Sequence, residues 1–386
     1  MSGSGARFHS NGAEMSLGEK LWRISWSFLI LIGLICGVGF LTLYSAANGS
    51  FEPWASRQII RFALGLAVLL AVAVTDIRLW MRWAYILYAV ALVLLVAVEV
   101  RGSIGMGAQR WIDFGIIQIQ PSEIMKITLV LALARYFHGI GYQEIGRPLV
   151  LIPPLLMIAA PFVLVMKQPD LGTAMMLLMA SGALFFLAGV RIWKFAIAIA
   201  GAVALVPLAW QFLRDYQRKR IIIFLDPESD PLGAGYHIMQ SKIALGSGGT
   251  FGKGFMLGTQ SHLNFLPEKQ TDFIFTMLAE EWGMVGCIAL LGLYSLILIY
   301  GYAISLRARS QFARLTGLGL TTTFFLYIFI NIAMVMGLVP VVGVPLPLIS
   351  YGGTAMLTLL FGLGLIMSIH IHRDVQIGRR GASDEF

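Results

Sequence analysis

Runs of about 20 apolar residues recur along this chain of 386, parted by short polar segments. A helix of that length crosses a ~30 Å hydrocarbon layer, and the layer admits only structures that pair every backbone N–H and C=O internally. Candidate runs cover 21–47, 57–76, 80–100, 121–138, 149–167, 170–190, 194–213, 272–304, 313–337 and 348–371. The expected fold is therefore an all-α integral membrane protein, a bundle of about ten transmembrane helices. Apolar residues make up 58% of the chain and charged residues 12%, against roughly 45–50% and ~25% in soluble domains, which excludes an ordinary soluble fold.

Residues 1–20 read as a polar tail, 21–371 as one polytopic membrane domain and 372–386 as a second tail. The first run exceeds the ~7–15-residue core of a signal peptide, so it is expected to be retained. Lys167-Gln168-Pro169-Asp170 forms a very tight turn between two spans, and Pro153, Pro154 and Pro161 are expected to kink the span before it. The formal charge of +8 is scattered through loops rather than gathered in a patch, which argues against nucleic acid. Basic residues cluster in alternate loops: Arg7, Lys20 and Arg23; Arg78 and Arg82; Arg135 and Arg147; Arg191 and Lys194; Arg307, Arg309 and Arg314; Arg373, Arg379 and Arg380. By the positive-inside rule both termini are cytoplasmic, and the long loop from Arg214 to Thr271, between spans seven and eight, is extracytoplasmic. Cys36 and Cys287, the two cysteines, lie in apolar runs and read as packing residues, while the six histidines are too dispersed for a His-rich metal site.

The most suggestive acid is Asp272, where the stretch from Asn264 to Gly283 passes from polar loop into apolar helix. A carboxylate there meets both water and a substrate anchored in lipid. Capping of the following helix, by Asp272 or by Thr271, is the structural alternative. Glu280 and Glu281 follow, ~12–14 Å further along a helix, where an ion pair or support for Asp272 would offset their cost. Glu123 and Lys126 share one helix face at i and i+3, either as a mutual pair or as part of a site.

Arg110 and Trp111 sit in a segment, Arg101 to Gln120, expected to lie along the outer interface; the arginine suits a phosphate and the tryptophan suits anchoring. In the long loop, SKIALGSGGTFGKGF invites a phosphate-loop reading that fails by count. Ser247 stands where the first Gly is needed and Gly254 where Ser or Thr is needed. A flexible, partly re-entrant loop is expected instead, with Lys242 and Lys253 able to attract an anionic head group. Gly33 and Gly37 form a small-xxx-small pair whose commoner use is internal helix packing.

Several segments together resemble the SEDS family (shape, elongation, division and sporulation): GAQRWIDFG, QPSEIMK, QPDLGTA, DPESDPLGAGYHIMQSKIALGSGG, FLPEKQTDFIF, then Asn331, GLVP from Gly337, Gly343 and PLPLISYGGTA, which carries Ser350. The resemblance implies a peptidoglycan glycosyltransferase that polymerises lipid II on the outer face of the bacterial inner membrane, beside a class B penicillin-binding protein that supplies the transpeptidase. It places the essential Asp on Asp272, the charge pair on Glu123 and Lys126 and the functional Trp on Trp111, with Ser350 among supporting residues. It also implies dependence on a divalent cation, Mg or Mn. Residues and resemblance together predict an inverting transfer with Asp272 as general base and cationic groups on the leaving pyrophosphate. A lipid II flippase and a non-catalytic scaffold are the rival readings.

Overall fold

The computed structural model describes residues 15–378 apart from 106–107, 114, 116–117, 142, 213–214, 231–232 and 264–267. The first fourteen residues of the expected N-terminal tail, and 379–386 of the C-terminal one, lie outside the described residues, as does Arg214. A short surface helix, α1 (Leu17–Trp22), precedes α2 (Trp26–Ala46), α3 (Ala55–Val74) and α4 (Ile77–Arg101). Three short strands follow, β1 (Ser103–Gly105), β2 (Ala108–Asp113) and β3 (Gln118–Ile119). Then come α5 (Pro121–His138), α6 (Pro148–Lys167), α7 (Leu171–Ala188) and α8 (Ile192–Phe212). The long loop folds as α9 (Asp215–Leu225), a 3-10 turn at Pro227–Ser229, α10 (Ala234–Ser247) and α11 (Thr259–His262). α12 (Ile274–Arg307), α13 (Gln311–Val335) and α14 (Gly353–Ile371) complete the bundle.

Eight of these helices are long and apolar enough to cross a membrane: α2, α3, α4, α6, α7, α12, α13 and α14. The other two expected spans are helices as well. α5 carries Glu123, Lys126 and Arg135, and α8 is apolar over Ile192–Leu208. Local signals set the ends. Asp170 Oδ1 accepts from Thr173 N (3.2 Å) and starts α7 straight after the Lys167 end of α6, so the tight turn needs only three residues. Pro121 opens α5, where its missing N–H costs nothing. Pro153, Pro154 and Pro161 are accommodated inside α6.

Burial divides the helices. α13 is buried on nearly all faces, packed against α5, α7, α12 and α14, and α5 is almost as enclosed. α4 and α6 bury one stripe each and present the rest outward, as lipid-facing helices do. Gly33 and Gly37 have open space where a Cβ would stand, so α2 does not use them for internal packing.

The structure revises two loop expectations. The segment 101–120 is an antiparallel hairpin and sheet, with Ser103 opposite Trp111 and Ile112 opposite Ile119, which pairs backbone groups that a lone interfacial strand would leave open. The expected flexible loop at SKIALGSGG is helix α10 as far as Ser247, and only the glycine-rich remainder is irregular.

Candidate active site

Asp272 stands two residues before α12. The helix is capped by neither of the expected side chains: its N-cap is Phe273, without a side-chain hydrogen bond. What holds Asp272 is the backbone on either side of it. Ser350 Oγ donates to the Thr271 carbonyl (2.6 Å), and Asn331 Nδ2 donates to the Asp272 carbonyl (3.0 Å) and to that of Val344 (2.7 Å). Tyr351 N donates to the Gln270 carbonyl (2.8 Å). Consecutive carbonyls are thus tied to α13 and to the loop before α14, which fixes the residue through its backbone. Gly343, at φ +70, lies against it: a Cβ there would sit 3.4 Å from Oδ2.

The electrostatics follow from the neighbours. Burial pushes the Asp272 carboxyl up from 3.8 to about 6; Glu268 and Asp170 add to the rise, and Arg220 and Arg110 oppose it. The groups whose charges act on this carboxyl come from four elements: Arg220 from α9, Arg110 from β2, Asp170 from the α6–α7 turn and Glu268 from the stretch before α12. Arg110 Nε donates to the Gln168 carbonyl (3.2 Å), Nη2 to that of Pro169, and Nε lies 3.9 Å from Asp170. Its fork locks the sheet onto the α6–α7 turn while its charge reaches Asp272. Trp111, the next residue on the strand, pairs with Ser103, and Arg110 before it is the extra residue of a β-bulge between Gln109 and Trp111.

Glu123 and Lys126 pair at 2.6 Å in the buried interior, and Tyr327 Oη donates to the other Glu123 oxygen. The Lys126 ammonium also lies 4.2 Å from the centre of the Tyr327 ring. Tyr327 and Asn331 are four residues apart on α13, hence on one face about 6 Å apart along the axis. One helix face therefore carries both the ion pair's partner and the residue that holds Asp272. Beside the pair is a cavity of about 20 Å³, room for one water, and across Ile127 and Thr358, which line both, lies an apolar cleft of about 320 Å³ between α3, α4, α5 and α14.

Glu280 and Glu281 lie elsewhere, at a break in α12. Gly283 has φ 64 and ψ −162, and the glycine-rich loop crosses the helix there. Lys253 N and Gly254 N donate to the carbonyls of Glu280 (3.0 Å) and Glu281 (3.1 Å), while Met284 N and Val285 N donate to those of Gly249 (3.0 Å) and Thr250 (3.1 Å). A Cβ on Gly252 would come within 2.1 Å of the Glu281 carbonyl oxygen, so the loop's glycines permit backbone crossing rather than phosphate binding. Lys253 Nζ is committed to Glu280 (2.8 Å) and Thr259 (2.7 Å). Glu281 accepts from Ser45 and faces His262 Nε2 at 3.2 Å. Lys242 is exposed, with its Cε and ammonium end lying over Gly337.

Sequence reasoning singled out Asp272, Arg110, Glu123, Lys126 and Ser350, but missed Asp170, Glu268 and Tyr327 and gave Asn331 no role. Asp170 shows locally only as the cap of α7, bonded to Thr173, and its links to Arg110 and Asp272 are remote in sequence, as is the bond from Tyr327 to Glu123. Among the described residues no group of three or more His, Cys, Asp or Glu side chains is placed to hold a metal ion. The charges of Arg110 and Arg220 act on Asp272 together with those of Glu268 and Asp170, surroundings that do not suit a protein-only cation site.

The geometry defines a class: a multi-pass helical membrane protein with a buried carboxylate anchored through its backbone to α13 and to the loop before α14. The chain belongs to the SEDS family, for residues 19–375 match the family model of FtsW, RodA and SpoVE, described as cell cycle proteins. It is 46% identical to the peptidoglycan glycosyltransferase MrdB of Escherichia coli K12, an alignment covering 94% of this chain and 97% of that one. Its fold is similar to the crystal structure of the rod shape determining protein RodA of Thermus thermophilus, with a TM-score of 0.69 and 30% identity over 91% of this chain and 97% of that one. A second solved structure, described as showing structural coordination of polymerization and crosslinking by a peptidoglycan synthase complex, superposes with a TM-score of 0.80 at 33% identity, covering 91% and 98%.

Proposed function

We propose that this chain is a peptidoglycan glycosyltransferase that polymerises lipid II, and that Asp272 is its general base. The supporting observation is the Asp272 carboxyl itself: fixed through its backbone, raised to about 6 by burial and set near Arg110 and Arg220. A base of that strength ionises just below neutral pH and still pulls on a sugar hydroxyl, the compromise that proton transfer favours.

In the reaction, the Asp272 carboxylate takes the proton from the 4-hydroxyl of the acceptor's terminal N-acetylglucosamine while that oxygen forms its bond to C1 of the donor's N-acetylmuramic acid. The C1–O bond to pyrophosphate breaks on the opposite face, so an α-linked donor yields a β-1,4 linkage in one inversion. Undecaprenyl pyrophosphate leaves as an anion, which Arg220 and Arg110 stabilise electrostatically. The Glu123–Lys126–Tyr327 cluster braces α5 against α13 beneath the site, and the 320 Å³ apolar cleft suits part of an isoprenoid tail.

Both termini are assigned to the cytoplasm and Asp272 to the outer face of the inner membrane, on the alternation of basic loops. Transpeptidation falls to a class B penicillin-binding protein, an assignment supported by the similarity to a synthase complex that couples polymerization to crosslinking. Reconstitution tests the reading: purified protein in vesicles with lipid II in the outer leaflet is expected to produce glycan strands, with more when the transpeptidase is added. Transfer of labelled lipid II between leaflets without strands would contradict it.

A further inference from the structure

Basic side chains from three distant parts of the chain converge at the end of the bundle opposite Asp272. Arg23 follows α1, Arg309 joins α12 to α13 and Arg373 follows α14. All three approach a single carboxylate, Asp374, at 3.9, 4.0 and 3.8 Å. A backbone bond from Arg309 N to the Arg373 carbonyl (3.0 Å) draws two of them together. These separations exceed hydrogen-bond length, so each guanidinium keeps its fork of donors, and the three side chains are 51%, 62% and 47% exposed. One carboxylate leaves two of the three charges uncompensated.

Apolar surface adjoins this charge. α1 buries no residue and exposes Leu17 and Leu21, one helical turn apart, together with Trp22 at 89%. Trp26 at the head of α2 and Leu306 at the foot of α12 are also exposed, and Phe28 meets Tyr300 with ring centres 6.3 Å apart, which marks a seam between these helices. Short helices with an apolar edge, and tryptophans beside arginines, lie at the head-group layer of a bilayer.

From this we infer that the corner binds a phospholipid with an anionic head group. Arg23, Arg309 and Arg373 take its phosphate through forked hydrogen bonds, and its acyl chains run along the α2–α12 seam beside Trp26 and Leu306. Asp374 orders the arginines and competes with the lipid for them.

Native mass spectrometry of the full chain, titrated with phosphatidylglycerol or phosphatidylcholine, tests the site. The expected preference for the anionic lipid is roughly 25-fold, about fivefold for each of the two uncompensated charges. The combined variant Arg23→Gln, Arg309→Gln, Arg373→Gln is expected to bind both lipids alike. Asp374→Asn is expected to bind phosphatidylglycerol more tightly than the parental chain, an outcome that general destabilisation does not produce. A large excess of inorganic phosphate is expected to leave the lipid in place. Retained preference in the triple variant, weaker binding in Asp374→Asn, or displacement by phosphate overturns the inference.

Discussion

At Asp272 the raised pKa links activity to stability. Below about 6 the carboxyl holds its proton and cannot act as base. The polymerisation rate is therefore expected to fall about tenfold per pH unit below that value and to level off above it, readable in a pH profile of initial rates. A folded pKa above the unfolded one means that this group's contribution to stability is full at low pH and is lost as pH rises from 3.8 through about 6. Ionised Asp272 is thus a cost at neutral pH, and Asp272→Asn is expected to melt later than the parental chain, by roughly 1–2 kcal/mol after allowing for partial exposure. Asn331→Ala unpairs the carbonyls of Asp272 and Val344. Its expected cost is about 1–3 kcal/mol per carbonyl in a denaturation curve, with kcat falling more than KM rises. Asp272 was legible in the sequence because an acid at the head of an apolar run is conspicuous; the role of Asn331 was not, since an amide in a long apolar helix gives no sign of what it will meet.

The break in α12 is the element that no local pattern announced. Ile274 to Glu281 is buried throughout, and Gly283 ends that stretch in a conformation that L side chains rarely adopt. The sequence showed that GSGGTFGKG is not a phosphate loop, yet its crossing partner lies some 30 residues further on, beyond the reach of motif reading. Gly283→Ala is expected to destabilise the protein by at least ~1–3 kcal/mol in a thermal melt, because strain at a positive φ adds to a Cβ placed 2.3 Å from Gly252 N. Activity should fall with it, since this short buried stretch carries Asp272 at its head.

Across the whole molecule, the membrane class and the places of the spans were written in composition and run length. Which helices would be central was not, because α2 and α13 are both apolar enough to cross a membrane and differ in what surrounds them: α13 is enclosed by other helices, α2 faces outward on one side. The Glu123–Lys126 pair at the centre sets another test. Lys126→Met strands a buried carboxylate and is expected to cost about 3–5 kcal/mol, most of it recovered when Glu123→Gln is added, as a double-mutant cycle of melting curves would show. The most direct measurement is strand synthesis from purified lipid II by the whole protein in vesicles, parental against Asp272→Asn, above pH 7. The account predicts a folded variant that makes strands at least about 100-fold more slowly; synthesis at close to the parental rate would contradict it.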